Sequence, residues 1–174
     1  MLHTLSPQSL ALAQALVRMN TISANSNLEL IDLAQSHLAA LGVKSRITYN
    51  AERTKANLFA TLGEGKPAGV IVSGHTDTVP WDGQEWSVDP LSAVVQNERL
   101  YGRGSADMKS FIAIALANAK RFLESDSPYA VHFAFSYEEE IGCFGVKELI
   151  ADMRDANIKP LACIVGEPTS MVPA

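Results

Sequence analysis

The stretch GVIVSGHTDTVP (residues 69–80) begins as a bare apolar run and ends in polar groups. Val70, Ile71 and Val72 follow one another without alternation, which suits a strand covered on both faces, the habit of parallel sheets. The run then yields to Gly74, His75, Thr76 and Asp77. Ligands of open α/β sheets gather beyond the carboxyl ends of the strands, so an imidazole at this point is a candidate for chemistry.

Working outward, residues 81–89 read as loop, AVVQNERLYG (93–102) as a hairpin turning at Gln96–Glu98, and MKSFIAIALANAKRFL (108–123) as the most helical segment. A strand AVHFAF (130–135), a short helix near GVKELIADMR (145–154) and a strand ACIVG (162–166) follow. Upstream, Ser6 and Pro7 suit an N-cap and a first helical residue. Leu10, Ala13, Leu16 and Val17 then recur at helical spacing. A second helix is expected from about Asn27 to Leu41, closed by Gly42, with extended segments at KSRITY (44–49) and NLFATLG (57–63). Strands alternating with helices give an α/β class with a mainly parallel sheet flanked by helices.

Composition narrows the function. With 174 residues, 47% of them hydrophobic, the chain can bury a sizeable core. A net charge of −5 offers no basic stripe, which argues against nucleic acid as a partner. No window reaches the roughly 18 apolar residues of a membrane span, and MLHTLSPQSLALAQ lacks the charged head and cleavage pattern of a leader, so a cytoplasmic protein without a membrane partner is expected. Cys143 and Cys163 lack CxxC spacing. Cys163, inside an apolar run, is expected to be a buried, inert thiol.

Three apolar runs finish in possible metal ligands: the first in His75, the second in Glu138, Glu139 and Glu140, the third in Glu167. Asp107, in GRGSADMK (102–109), stands where a loop enters the long helix. Singly, each has an ordinary explanation: a strand-end imidazole, a solvated acidic turn, turn chemistry before Pro168, a helix cap. Together they form an imidazole-and-carboxylate set suited to Zn²⁺, Co²⁺ or Mn²⁺, able to hold two cations if one carboxylate bridges them. Asp77, two residues after His75, can accept the other imidazole N–H and fix its tautomer. The glycines of GRGSAD lack the GK[ST] ending of a phosphate loop and are expected to give tight backbone access around Asp107.

SGHTDTVPWDGQEWSVDP (73–90), LYGRGSADMKSFIA (100–113), SYEEEIGCFG (136–145) and IVGEPTS (164–170) together resemble the motifs of the co-catalytic dizinc amidohydrolases, the family of aminoacylases, succinyl-diaminopimelate desuccinylases and acetylornithine deacetylases. ERTKANLFATLG (52–63) and SYEEEIGCFG lie nearest the deacetylase branch. The resemblance implies a zinc-dependent exopeptidase-like catalytic domain and hydrolysis of an N-acyl amino acid, N-acetyl-L-ornithine above all, in arginine biosynthesis. It implies two zinc ions bridged by Asp107, with His75 and Glu167 on one and Glu140 on the other. Asp77 becomes the partner of His75 and Glu139 the general base. Glu138 stands where the family usually carries Asp and is given no chemical role.

The family also uses a late His ligand and a smaller lid domain that mediates homodimerisation, and the chain resembles only the N-terminal portion. His3, His37 and His132 read as ordinary residues of helix and strand patterns. Residues 1–174 are therefore expected to be an incomplete catalytic domain, inactive alone, with the lid and the remainder beyond Ala174.

Overall fold

The computed structural model describes residues 6–170 and 172; His3 and the first five residues of the leader reading, like the chain's last two residues, lie outside them. Helix α1 (Pro7–Arg18) starts as its sequence requires: the Ser6 hydroxyl accepts from the Ser9 N–H at 3.1 Å, and Pro7 occupies the first turn, where its missing N–H costs nothing. Helix α2 (Leu28–Ala40) ends at Gly42, whose φ of +77° closes it in the left-handed region. Strands β1 (Ser45–Tyr49), β2 (Ala56–Leu62) and β3 (Ala68–His75) follow, then the hairpin of β4 (Val94–Gln96) and β5 (Arg99–Tyr101). Asn97 and Glu98 turn that hairpin with positive φ at both positions.

The long helical segment divides into α3 (Lys109–Ala117) and α4 (Ala119–Leu123). Asn118 is the cause: its side-chain amide donates to the Ile114 carbonyl at 2.8 Å, a local bond that competes with continued helix. Strand β6 (Ala130–Ser136), helix α5 (Val146–Asp155) and strand β7 (Ala162–Val165) complete the order.

The main sheet runs β1-β2-β6-β3-β7. Helices therefore flank an α/β sheet, as read from the sequence, but the sheet is mixed: β6, β3 and β7 are parallel, whereas β1 and β2 join antiparallel. Strand direction is set by how far the connections carry the chain, and no local residue pattern encodes it. One face, with α2 and α3 against the sheet and α1 on α3, buries Leu16, Leu30, Ile31, Leu38, Leu58, Leu116, Phe133 and Phe135. On the other face, α5 covers Phe59, Ile71 and Ala134 through Leu149 and Met153.

Neither that helix nor α3 reaches fully over β7, the outer strand, and Cys163 is exposed. The expectation of a buried thiol is thus corrected: an apolar strand is buried only where something packs on it. His37 and His132 are structural, as expected. His37 Nε2 bonds the Leu116 carbonyl at 3.0 Å, while His132 Nδ1 meets Thr61 Oγ1 at 3.0 Å and its ring stacks on Phe59. Among the described residues no helix is long and apolar enough to cross a membrane.

Candidate metal centre

Because β3, β6 and β7 are parallel, their carboxyl ends share one edge. From β3 the chain crosses over α3 and α4 to β6, then back past β3 by way of α5 to β7. That reversal opens a crevice at the end of β3, where α/β sheets take ligands. His75 closes β3, the Glu138–Glu140 turn follows β6, and Glu167 follows β7. Asp107 arrives from the loop before α3 through a cis Asp107–Met108 peptide. Gly104 gives that loop its close approach: at φ +83° it lies so near Lys109 and Thr78 that a Cβ would meet each at 2.9 Å.

His75 is 2% exposed, and its two nitrogens have different tasks. Nδ1 lies 2.9 Å from the Asp77 carbonyl, which can only accept, so Nδ1 carries a proton and Nε2 is presented to the cluster. The Asp77 carboxylate stands beside Nδ1 at 3.5 Å. The tautomer is thus fixed from Asp77, as the sequence suggests, but chiefly by its main chain. Nε2 has Asp107 Oδ1 at 3.0 Å, Glu167 Oε1 at 3.6 Å and Glu139 Oε2 at 3.9 Å. Two overlapping triplets, His75–Glu139–Glu167 and His75–Asp107–Glu140, each bring ligand atoms within 4.8 Å of one another. All four metal candidates and the candidate base therefore converge.

The cluster is short of positive charge. Burial would depress the His75 imidazole, yet Asp77, Glu167 and Asp107 together outweigh it and raise it from 6.5 to about 9. Burial first, then neighbouring carboxylates, push Glu140 and Glu167 above the usual carboxylate range. Asp77 goes the other way: burial works against its charge, but bonds from His75, Ser23 and the Glu139 N–H hold it low. A carboxylate-rich pocket that retains a proton on imidazole to balance itself is the donor set that a divalent cation fits, by both charge and ligand type.

The contacts that tie these groups together gave no local signal in the sequence. Asp77 accepts from the N–H groups of Glu139 and Glu140 at 3.1 and 3.4 Å, so one carboxylate links the imidazole to the acidic turn. Asn57, fully buried, donates to the Gly145 carbonyl at 2.8 Å and accepts from the Tyr137 N–H, clamping both ends of that turn. Lys109 is buried beneath the Asp107 loop and donates to the Met19 carbonyl at 2.7 Å; burial lowers it to about 8 although Asp77 pulls the other way. The exposed Cys143 thiol lies 3.4 Å from Glu139 Oε1, and that carboxylate raises it. A cavity of about 260 Å³ opens onto His75, Glu139, Cys143 and Glu167.

An open α/β sheet with an imidazole and four carboxylates at its carboxyl edge defines an α/β domain with a candidate metal centre. Residues 71–174 match the peptidase family M20/M25/M40, and the chain belongs to that family. It is 33% identical over 174 residues to an acetylornithine deacetylase of Pasteurella multocida and 35% identical over 179 residues to one of Edwardsiella ictaluri. Those alignments take in 96% and 99% of this chain but 44% and 46% of the relatives, so the chain spans less than half their length. In fold it is similar to the M20 family metallo-carboxypeptidase Sso-CP2 of Sulfolobus solfataricus, with a TM-score of 0.78 at 23% identity over 92% of this chain and 37% of that one. Human carnosine dipeptidase 1 gives 0.71 at 24% identity over 90% and 37%.

Proposed function

We propose that this chain carries most of the centre of a metal-dependent amide hydrolase that removes an acyl group from an N-acyl amino acid, with N-acetyl-L-ornithine as the leading substrate and arginine biosynthesis in the cytoplasm as the setting. The observation that carries the reading is the meeting of three carboxylates, from three separate segments, around the buried His75 Nε2. The similarity to acetylornithine deacetylases supports the choice of substrate.

His75, Asp107, Glu140 and Glu167 would hold two zinc ions, for which Co²⁺ or Mn²⁺ could substitute. When bound, such ions acidify a water and polarise the amide carbonyl. Asp77 keeps His75 in the Nδ1–H tautomer and aims its free nitrogen. Glu139 takes the proton of the attacking water as the oxygen joins the acyl carbon, and returns it to the amine nitrogen as the C–N bond breaks. The products are a carboxylic acid and a free amine.

Among the described residues no further imidazole joins the cluster, since His37 and His132 are engaged elsewhere. We therefore assign residues 1–174 to the N-terminal portion of the catalytic domain, inactive alone, and the homodimer to the protein that includes a lid domain. The test is a panel of N-acetyl, N-succinyl and longer N-acyl amino acids offered to the intact protein that carries this sequence, with and without zinc. Zinc-dependent acetate release that prefers acetylornithine supports the reading; preference for a succinylated or long-chain substrate moves it to a sibling deacylase, and the absence of hydrolysis rejects it. Turnover by the isolated 174-residue chain would overturn the assignment of inactivity.

A further inference from the structure

The Glu138–Glu140 turn is gripped by two side chains that hydrolysis itself does not use. Ser23 Oγ–H donates to Asp77 Oδ2 at 2.6 Å, on the carboxylate that also receives the Glu139 and Glu140 N–H groups. The Lys55 ammonium donates to the Ser23 carbonyl and pairs with Glu138, both partners being largely buried. A closed ring results, from Ser23 through Asp77 to the acidic turn and back through Glu138 and Lys55.

The ring is anchored at both ends. Residues 21–23 lie alongside 76–78: the Ser23 N–H donates to the Thr78 carbonyl at 3.1 Å, the Thr78 N–H to the Thr21 carbonyl at 3.0 Å, and Thr21 Oγ1 to the Thr76 carbonyl at 2.7 Å. At the other end Glu138 stands at φ +57°, in the left-handed region that a side chain with Cβ rarely adopts. Such a conformation persists only where its surroundings over-determine it, and such strain clusters at functional sites. Here the ion pair to Lys55 and the Phe144 N–H on the Glu138 carbonyl hold it.

We infer that Ser23 and Lys55 are positioning residues of the metal centre, Ser23 by orienting the Asp77 carboxylate and Lys55 by latching Glu138 so that Glu139 and Glu140 face the crevice. The inference rests on the metallohydrolase reading. It also assigns a task to Glu138, the member of the triplet without a chemical role: its side chain spans to Lys55, 83 residues away in sequence.

The test uses the intact protein with Ser23→Ala, Lys55→Met and Glu138→Gln, and Ser23→Thr and Lys55→Arg as conservative counterparts. Zinc affinity is measured by competition with a chromophoric chelator, kcat and KM on an N-acyl amino acid, and melting of the metal-free protein by circular dichroism. Positioning gives a loss of about tenfold or more in zinc affinity and kcat, of the size that partners behind metal ligands usually command, with KM little changed. Metal-free melting falls by an amount that does not track the loss of zinc affinity and kcat across the variants, since opening a buried pair costs stability by itself, and the Thr and Arg variants recover most of the functional loss. Lys55→Met combined with Glu138→Gln loses no more than either alone, because both break one latch.

Wild-type zinc affinity and kcat in the three variants would overturn the inference, as would losses that follow the melting temperature without rescue, or losses that multiply in the double variant. If wild-type protein hydrolyses none of the substrates, the functional reading falls, while the zinc-affinity comparison still decides whether Ser23 and Lys55 position the ligands.

Discussion

Strands β3 and β7 lie side by side in parallel, carry similar apolar runs, and lead into proposed metal ligands, β3 ending on His75 and β7 two residues before Glu167, yet their surroundings differ. Ile71 is 5% exposed between α5 and the neighbouring strands; Ile164, paired with Val72 one row along, is 55% exposed. His75 accordingly leaves β3 buried at the base of the crevice, whereas Glu167 leaves β7 at a half-open rim. The difference teaches that hydrophobic sequence marks a capacity for burial, and that packing layers decide where it is used. A ligand on the covered strand is held by its surroundings, while one on the open strand depends on the outer edge of the sheet.

The largest expected contrast lies at the ligands. His75→Ala in the intact protein should remove the one zinc ion that this buried imidazole would hold, whereas Glu167→Gln, which keeps His75 and Asp107 in place, should leave that ion bound more weakly but measurably. Chelator competition compares them, and equal losses would break the distinction between the two strand ends.

Packing gives the next contrast. Ile71→Ala should destabilise by about 2–5 kcal/mol, the usual cost of emptying a buried aliphatic site, whereas Ile164→Ala should fall within about 0.5 kcal/mol. Urea unfolding of each variant measures both values, and similar costs would mean that β7 is covered in solution.

The third prediction concerns pH. The folded His75 value of about 9 lies above the unfolded 6.5, so its imidazolium contributes stability to the metal-free protein that is fully present below pH 6.5 and lost as pH rises through about 9. Zinc must displace that proton. Its apparent affinity should therefore rise about tenfold per pH unit between pH 7 and 9, with one proton released from His75 per ion bound there, and flatten above. Calorimetry in buffers of different ionisation enthalpy counts the proton. A flat affinity across that range would show that His75 does not hold it.

The smallest effect on folding is expected from Ile164→Lys, within about 0.5 kcal/mol of wild type, because the side chain already faces solvent. A charge on an outer strand also discourages edge-to-edge pairing, so light scattering of the isolated chain should fall. Unchanged scattering would mean that the β7 edge does not drive self-association.

What the residues themselves determined is local or repetitive. Ser6–Pro7 and Gly42 bound their helices because caps act within one turn, and Asn97–Glu98 turns its hairpin by the same kind of short-range geometry. His75, Asp107, Glu139, Glu140 and Glu167 stood out because chemistry-bearing side chains interrupt or end apolar patterns, and strand ends in an α/β sheet converge. The tertiary structure alone decided that β1 and β2 run antiparallel, that Cys163 is bare, and that Ser23, Lys55 and Asn57 serve the acidic turn across 54 to 88 residues of chain. The reason is range: periodicity and capping are set by neighbours within a few residues, whereas burial and long-distance hydrogen bonds exist only once separate elements share a layer.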